Sequence, residues 1–173
     1  MPLTFTLDLP PGYPDVPCLI SGDESVLYPN KIYLLHSENE ELIDVYEIRY
    51  EYHISPFKQT LIVDNVLAVG YEKHFYLFDI FQREVLLLIH MKGYFGHLYF
   101  SQTDFYVTDA ECVYRLDKTG KIIWQTDNLG HDGVIIEEMD ALSIVGSGEW
   151  DPPGGWLKFM LDKTTGLVLK DEY

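Results

Sequence analysis

The sequence predicts an all-β protein made of short antiparallel strands. Of its 173 residues only three are alanine, the best helix former, whereas 13 are tyrosine and 9 are phenylalanine. Between residues 44 and 54 apolar and polar side chains alternate with a period of two, as in a strand with one buried face. Further apolar runs, separated by turn residues at hairpin spacing, continue to the carboxyl terminus.

The predicted strands follow one another closely along the chain. In order they are 31–35, 44–54, 60–63, 66–69, 75–78, 84–89, 98–100, 105–107, 113–116, 122–125, 134–136, 142–145, 157–161 and 167–170. The proline-rich residues 10–17 predict an extended lead-in, and residues 150–156 a turn-rich insertion. Ser37 and Glu40 have the spacing of a helix capping box, but we interpret residues 37–42 as an acidic loop.

Charge and composition exclude several classes of function. Lys and Arg total 12 against 28 Asp and Glu, and the resulting net charge of −16 repels nucleic-acid phosphates and anionic membrane surfaces. The first twenty residues contain no Lys or Arg and five prolines, which is unlike a signal peptide. Cys18 and Cys112 are predicted to be buried thiols in a reducing compartment. We therefore expect a soluble cytoplasmic protein.

An internal repeat indicates the architecture. Each unit is a strand, a short turn and a strand ending in Asp, followed by a tight turn and an outgoing strand; the aspartates are Asp79, Asp117 and Asp162. Their spacings of 38 and 45 residues are close to the length of a β-propeller blade. We expect each Asp to cap its turn through backbone N–H groups, with Gly supplying a positive φ. The prediction is one domain over 1–173, with units at about 66–100, 101–136 and 137–173 after amino-terminal strands and a lead-in over 1–65.

The sequence Leu-Asp-Lys-Thr-Gly-Lys-Ile-Ile-Trp at 116–124 resembles the blade motif of quinoprotein-type (PQQ-like) β-propellers. In that family Thr-Gly closes the turn and Trp docks between adjacent blades, so the resemblance implies these structural roles for Thr119, Gly120 and Trp124. The last unit keeps Thr-Gly but has Lys170 where the tryptophan belongs. At about 40 residues a blade the chain holds about four blades, so we expect a small or incomplete propeller-like stack.

A second resemblance concerns the carboxy-terminal region. The stretch Gly-Ser-Gly-Glu-Trp-Asp-Pro-Pro-Gly-Gly-Trp at 146–156 is similar to the end of small uncharacterised bacterial proteins, some of which look like immunity partners of secreted polymorphic toxins. This resemblance implies a protein partner and names no catalytic residue.

The same region contains the residue types that protein interfaces use. Tryptophans contribute much of the binding energy at interfaces, and a proline-stiffened loop loses little entropy on binding. Acidic side chains provide a field that attracts a basic partner, although such clusters are also typical of a solvated surface. The predicted partner-binding residues are Glu137, Glu138, Glu149, Trp150, Asp151 and Trp156.

An alternative hypothesis places chemistry in the same loops. His131, Asp132, Glu149 and Asp151 could bind a divalent ion or act as acid and base, as in a small-ligand or metal-binding protein or a hydrolase. Their spacing matches no metal-ligand code, and no nucleophile elbow, phosphate-binding loop or paired-cysteine motif is present. We therefore assign no catalytic residue, metal ligand or cofactor, and prefer a non-enzymatic protein.

The sequence thus predicts an acidic protein-binding module with a basic protein partner, in its most specific form an immunity protein that neutralises a basic toxin. The acidic surface would speed the encounter and the tryptophans would anchor the complex. Nothing in the sequence indicates an oligomeric state.

Overall fold

The structure, a computed structural model, describes residues 3–6, 18–21, 28–36, 42–50, 58–151 and 154–171. These residues form β1 (Leu3–Thr6), β2 (Cys18–Ser21), β3 (Tyr28–His36), β4 (Leu42–Tyr50), β5 (Lys58–Val63), β6 (Val66–Tyr71), β7 (His74–Asp79), β8 (Glu84–His90), β9 (Phe95–Ser101), β10 (Asp104–Asp109), β11 (Val113–Leu116), β12 (Ile122–Thr126), β13 (Val134–Met139), β14 (Ser143–Trp150), β15 (Gly155–Asp162) and β16 (Val168–Asp171). Within them no helix is present that could cross a membrane.

The strands form four four-stranded sheets that follow one another along the chain. Sheet 1 has the order β1-β3-β4-β2, whereas sheets 2 (β5–β8), 3 (β9–β12) and 4 (β13–β16) are antiparallel meanders in chain order. The predicted all-β, propeller-like stack is confirmed, and it is incomplete and unclosed. The sequence unit 66–100 begins on the second strand of sheet 2 and ends on the first strand of sheet 3, whereas the unit 101–136 begins at the last residue of β9 and ends on the first strand of sheet 4.

The structure differs from the prediction in the amino-terminal region. Strands β1 and β2 were not predicted, and β2 pairs in parallel with β4, because two short segments without a hairpin turn between them show no local strand signal. Strand β4 is described to Tyr50, so the predicted extension to residue 54 lies outside the described residues. The same holds for the predicted lead-in at 10–17 and for residues 37–41 of the acidic loop.

The predicted insertion at 150–156 is part of a hairpin. Strand β14 continues to Trp150 and β15 begins at Gly155, and the two strands stay in register with Glu149 opposite Trp156. The sequence prediction ended the first of these strands at residue 145 because Gly-Ser-Gly-Glu has no alternation of apolar side chains. The two strands are therefore longer than predicted.

The core consists of three apolar layers between successive sheets. All six residues of β6 are buried, because Leu67 and Val69 face Tyr46 of sheet 1, while Val66 and Ala68 belong to the layer shared with sheet 3. Strand β10 is buried on both faces in the same way. Burial on two faces explains why these strands are apolar runs rather than alternating patterns.

The repeat aspartates cap their turns as predicted. Asp117 Oδ1 accepts hydrogen bonds from the backbone N–H groups of Thr119 at 2.8 Å and Lys121 at 3.0 Å. The equivalent donors are Phe81 and Gln82 at Asp79, and Thr164 and Thr165 at Asp162. The turns of the last two units place Gly120 and Gly166 at φ +87° and +73°. The repeat aspartates therefore cap the turn between the third and fourth strands of sheets 2, 3 and 4.

Trp124 lies between sheets 3 and 4, as the resemblance implies. Its side chain is 8% exposed and its indole N–H donates a hydrogen bond of 3.1 Å to the carbonyl of Lys163, in the turn between β15 and β16. Gly166 of that turn contacts the ring so closely that an added Cβ would lie 2.7 Å from it. This close contact requires glycine.

We predict that Gly166→Ala destabilises the protein more than Gly155→Ala. Both glycines have φ near +70°, where alanine is strained by about 1 kcal/mol, but nothing lies within 4 Å of a Cβ at Gly155. The clash with Trp124 adds about 1–3 kcal/mol of overpacking to Gly166→Ala. Urea unfolding measures both variants, and equal losses of unfolding free energy would contradict the docking role of this turn.

We also predict a pH effect at the Asp117 turn. Partial burial raises the pKa of the Asp117 carboxyl, but hydrogen bonds from Thr119 and Lys121 outweigh it and hold this pKa below its usual 3.8. The ionised carboxyl thus stabilises the fold above pH 3.8, and this contribution is lost as the pH falls through 3.8 towards the folded-state pKa.

Asp117→Asn therefore lowers the unfolding free energy at pH 7 by about 1 kcal/mol, and the difference from the wild type shrinks below about pH 4. Urea unfolding at a series of pH values measures both chains. A difference that stays constant down to about pH 3 would show that the lowered pKa does not stabilise the turn.

Candidate functional site

Successive turns of the chain lie at alternate ends of the stack, so the two ends carry different connections. The aspartate-capped turns lie at one end, which we call the turn end. The opposite end, the loop end, contains the β8–β9 and β12–β13 connections and the β14–β15 hairpin loop. Because consecutive antiparallel strands reverse at alternate ends, the candidate residues at 131–132 and 149–156 all lie at the loop end.

The structure brings the two predicted loop segments together. The backbone N–H groups of His131 and Asp132 donate to the carbonyl of Glu149 at 2.7 and 3.2 Å, and the N–H of Glu149 donates to the carbonyl of Gly133 at 2.8 Å. The His131 ring packs edge-on against Trp150, with 4.5 Å between ring centroids. Backbone hydrogen bonds therefore hold this part of the loop end in one arrangement.

Three side chains converge over Gly133. A Cβ added there would lie 3.3 Å from the Tyr94 hydroxyl, 3.4 Å from the Trp156 ring and 4.0 Å from Glu149 Oε2. The Tyr94 hydroxyl also donates a hydrogen bond to the carbonyl of Asp132. Burial and the carboxylates of Asp132 and Glu149 raise the pKa of Tyr94, so this phenol stays a donor at neutral pH. Because Gly133 has no side chain, these three groups approach its backbone closely, and we call the surface that Tyr94, Glu149 and Trp156 form beside it the Gly133 niche.

The niche opens into a cavity of about 410 Å³ along the first strands of sheets 2, 3 and 4. This volume is within the range of small-molecule sites, towards its lower end. The cavity is lined by Lys58, Gln59, Tyr94, Gly96, His97, Asp132, Gly133, Val134, Ile135, Glu149 and Trp156. Sequence reasoning missed Lys58, Tyr94 and His97, although the repeat places all three at or beside the first strands of successive sheets.

The predicted site residues fall into two groups. Glu149, Trp150, Asp151 and Trp156 belong to the β14–β15 hairpin, where Trp156 is 48% exposed. Glu137 lies on β13, 3.6 Å from Lys158 Nζ, and accepts a hydrogen bond from Ser147, while Glu138 is exposed and lines a second hollow on sheet 4. Neither Glu137 nor Glu138 lines the cavity.

A neighbouring cluster at the loop end is internally satisfied. Lys92 Nζ lies 3.2 Å from Asp127 and 3.5 Å from Glu111, and the Cys112 thiol is 2.9 Å from Asp127 Oδ1. Burial and the Asp127 carboxylate raise the pKa of Cys112 to about 12, so this buried thiol is not a nucleophile at neutral pH. In the described part of the chain no three His, Cys, Asp or Glu side chains are grouped as a metal site would need.

No protein-family model and no curated protein sequence matches the chain. Among solved structures it is similar to BamB from Moraxella catarrhalis, with 15% identity over 90% of this chain and 48% of that chain, and a TM-score of 0.54. It is also similar to Kuenenia stuttgartiensis hydrazine synthase, with 12% identity over 94% of this chain and 51% of that chain, and a TM-score of 0.56. A third similar structure is the Neurospora crassa Pan2 WD40 domain, with 15% identity over 82% of this chain and 46% of that chain, and a TM-score of 0.50.

The chain therefore spans about half the length of these structures. Because the sequence identities are low, these structures bear on the fold alone, and they confirm the propeller-like fold that the blade motif implies. One of them is a synthase and another a WD40 domain, so the shared fold does not select a function.

We predict that Tyr94→Phe loosens the loop end locally. The variant loses the hydrogen bond to the carbonyl of Asp132. A hydrogen bond of this kind contributes about 1 kcal/mol to stability. Hydrogen–deuterium exchange should speed up at the amides of residues 131–133, with the turns at Asp117 and Asp162 unchanged. Unchanged exchange at 131–133 would show that Tyr94 does not hold this segment.

Proposed function

We propose that this chain is a non-enzymatic, cytoplasmic protein-binding module whose partner is a basic protein. The observation that carries the proposal is the convergence of Asp132, Glu149 and Asp151 with Trp150 and Trp156 at one end of a chain with a net charge of −16. Carboxylates next to partly exposed tryptophans are the combination that binds cationic surfaces and anchors them.

Part of the loop end is suited to binding because hydrogen bonds between residues 131–133 and 149 hold its backbone. The carbonyl of Glu149 accepts two hydrogen bonds from the segment 131–132, and Trp150 packs on His131. A surface that is rigid before binding loses little conformational entropy in the complex. The tryptophans can therefore act as preformed anchors.

Long-range electrostatics support a basic partner. With 28 acidic against 12 basic residues, the field of the molecule attracts cations and accelerates their encounter. Salt screens exposed charges with a Debye length of about 10 Å at 0.1 M, so the association rate should fall as salt is added.

The more specific form of the proposal is an immunity protein that neutralises a basic toxin such as a nuclease. It is supported by the resemblance of residues 146–156, whose described part includes the end of β14 and the start of β15. That resemblance therefore coincides with the segment that supplies Glu149, Trp150, Asp151 and Trp156.

The small-ligand alternative is favoured by one observation, the cavity of about 410 Å³ beside Glu149 and His97. This alternative predicts that a small molecule raises the melting temperature of the protein, and that the substitution Glu149→Gln removes the increase. The protein-binding proposal predicts the loss of a macromolecular partner instead.

We predict that the chain captures a basic protein from its host lysate at low salt and releases it at high salt. Glu149→Gln with Asp151→Asn removes two charges at the loop end, and Glu84→Gln with Asp64→Asn removes the same charge at the turn end. With the captured protein purified, surface plasmon resonance should show at least about tenfold weaker binding for the first pair and less than about twofold for the second. No capture at low salt, or equal effects of the two pairs, would contradict the proposal.

A further inference from the structure

We infer that the Gly133 niche binds the guanidinium group of an arginine side chain on the basic partner. This inference rests on the proposed function and identifies which group of the partner the cavity takes. The niche is bounded by Tyr94, Glu149 and Trp156, each within 4.0 Å of the position of a Cβ at Gly133. The adjoining cavity of about 410 Å³ provides the space for a ligand group, and the three neighbours provide two aromatic rings and one carboxylate.

The register of sheet 4 places the two main groups side by side. Glu149 of β14 pairs directly with Trp156 of β15, so both side chains lie on the same face of the sheet. The N–H of Glu149 in turn donates to the carbonyl of Gly133 at 2.8 Å. A row across the sheet therefore contains a glycine, a carboxylate and an indole in succession.

The charge of Glu149 is not neutralised within the described part of the chain, where no Lys, Arg or His side chain forms an ion pair with it. Other carboxylates there do have such partners: Asp104 pairs with Arg115 at 2.5 Å, Asp64 with Lys118 at 2.6 Å and Glu137 with Lys158 at 3.6 Å. An unpaired carboxylate in a concave, partly dry site gains most from an external cation.

The cavity contains charged groups from several elements. Glu149 of β14 and Asp132 of the β12–β13 connection contribute two carboxylates, whereas Lys58 of β5 contributes an ammonium group. The carboxylates attract a cation and Lys58 repels it, so a cation in the cavity is drawn towards Glu149 and Asp132.

Arginine fits this arrangement better than lysine. A guanidinium group is planar, stacks on aromatic rings and forms two parallel hydrogen bonds with one carboxylate, whereas an ammonium group is a compact and strongly hydrated point charge. The half-exposed indole of Trp156 provides a surface for stacking and Glu149 provides the carboxylate.

The test uses N-acetyl-arginine amide as the probe with the full chain, and follows the indole N–H signals of Trp124, Trp150 and Trp156 by NMR. N-acetyl-citrulline amide is the neutral isostere and N-acetyl-lysine amide the cation without the planar group. We expect the arginine probe to shift the Trp156 signal saturably. The citrulline and lysine probes should bind at least about five times more weakly.

Variants locate the site. Glu149→Gln should weaken the arginine probe at least fivefold, while Glu84→Gln at the turn end should change its dissociation constant less than twofold. Trp156→Leu, which lacks the reporting indole and is therefore followed by isothermal titration calorimetry, should weaken the probe as well. The Trp124 indole signal, in the core, reports whether each variant keeps the fold. Equal binding of arginine and citrulline, equal binding of arginine and lysine, or equal effects of Glu149→Gln and Glu84→Gln would each overturn the inference.

The two proposals can fail separately. If a basic protein is captured but the arginine probe does not shift Trp156, the niche inference is wrong and the protein-binding function stands. If the arginine probe binds but no basic protein is captured, the niche is a cation site and the protein-binding function is wrong.

Discussion

The position of sheet 4 depends on one turn, residues 162–166, that docks on sheet 3. The carbonyl of Lys163 accepts hydrogen bonds from the indole of Trp124 at 3.1 Å and from the guanidinium of Arg115 at 2.8 Å. The Lys163 side chain, only 4% exposed, donates to Ser101 Oγ at 3.1 Å and to the carbonyl of Asp140 at 2.7 Å. A buried ammonium group is tolerated because oxygen atoms surround it. One residue thus connects the two sheets through both its backbone and its side chain.

The candidate site at the loop end depends on that docking at the turn end. Strand β15 runs from Gly155 to Asp162, so the Lys163 turn and Trp156 lie at opposite ends of the same strand. Between them Phe159 and Leu161 pack into the layer shared with sheet 3, together with Tyr106. In a close-packed layer of this kind, one end of a strand cannot shift without displacing the side chains packed along the rest of it. Strand β15 therefore also positions Trp156 beside Gly133, where the Tyr94 hydroxyl of the β8–β9 connection lies as well.

The outward face of sheet 4 differs from the face that sheet 3 presents to it. Counted from the capping aspartates, Lys158 takes the place of Val113, and by strand register Lys170 takes the place of Trp124. Val113 and Trp124 are buried, whereas both lysines are exposed. Charged side chains therefore stand at two of the positions through which sheet 3 packs on sheet 4, while Leu167, Val168 and Leu169 of the last turn and strand are exposed apolar side chains.

The sequence by itself determined the strands of sheets 2 to 4 and the capping role of Asp79, Asp117 and Asp162, while the docking role of Trp124 was implied by the resemblance to quinoprotein-type propellers. These are local patterns, since a strand, a turn and its cap lie within a few residues of one another. It also singled out His131 and Glu149, but gave no reason for them to meet. Strands β1 and β2 escaped prediction because their pairing with β3 and β4 is non-local. Only the tertiary structure placed Tyr94 and Lys58 in the cavity with Glu149 and Trp156, because their proximity depends on how three successive sheets stack.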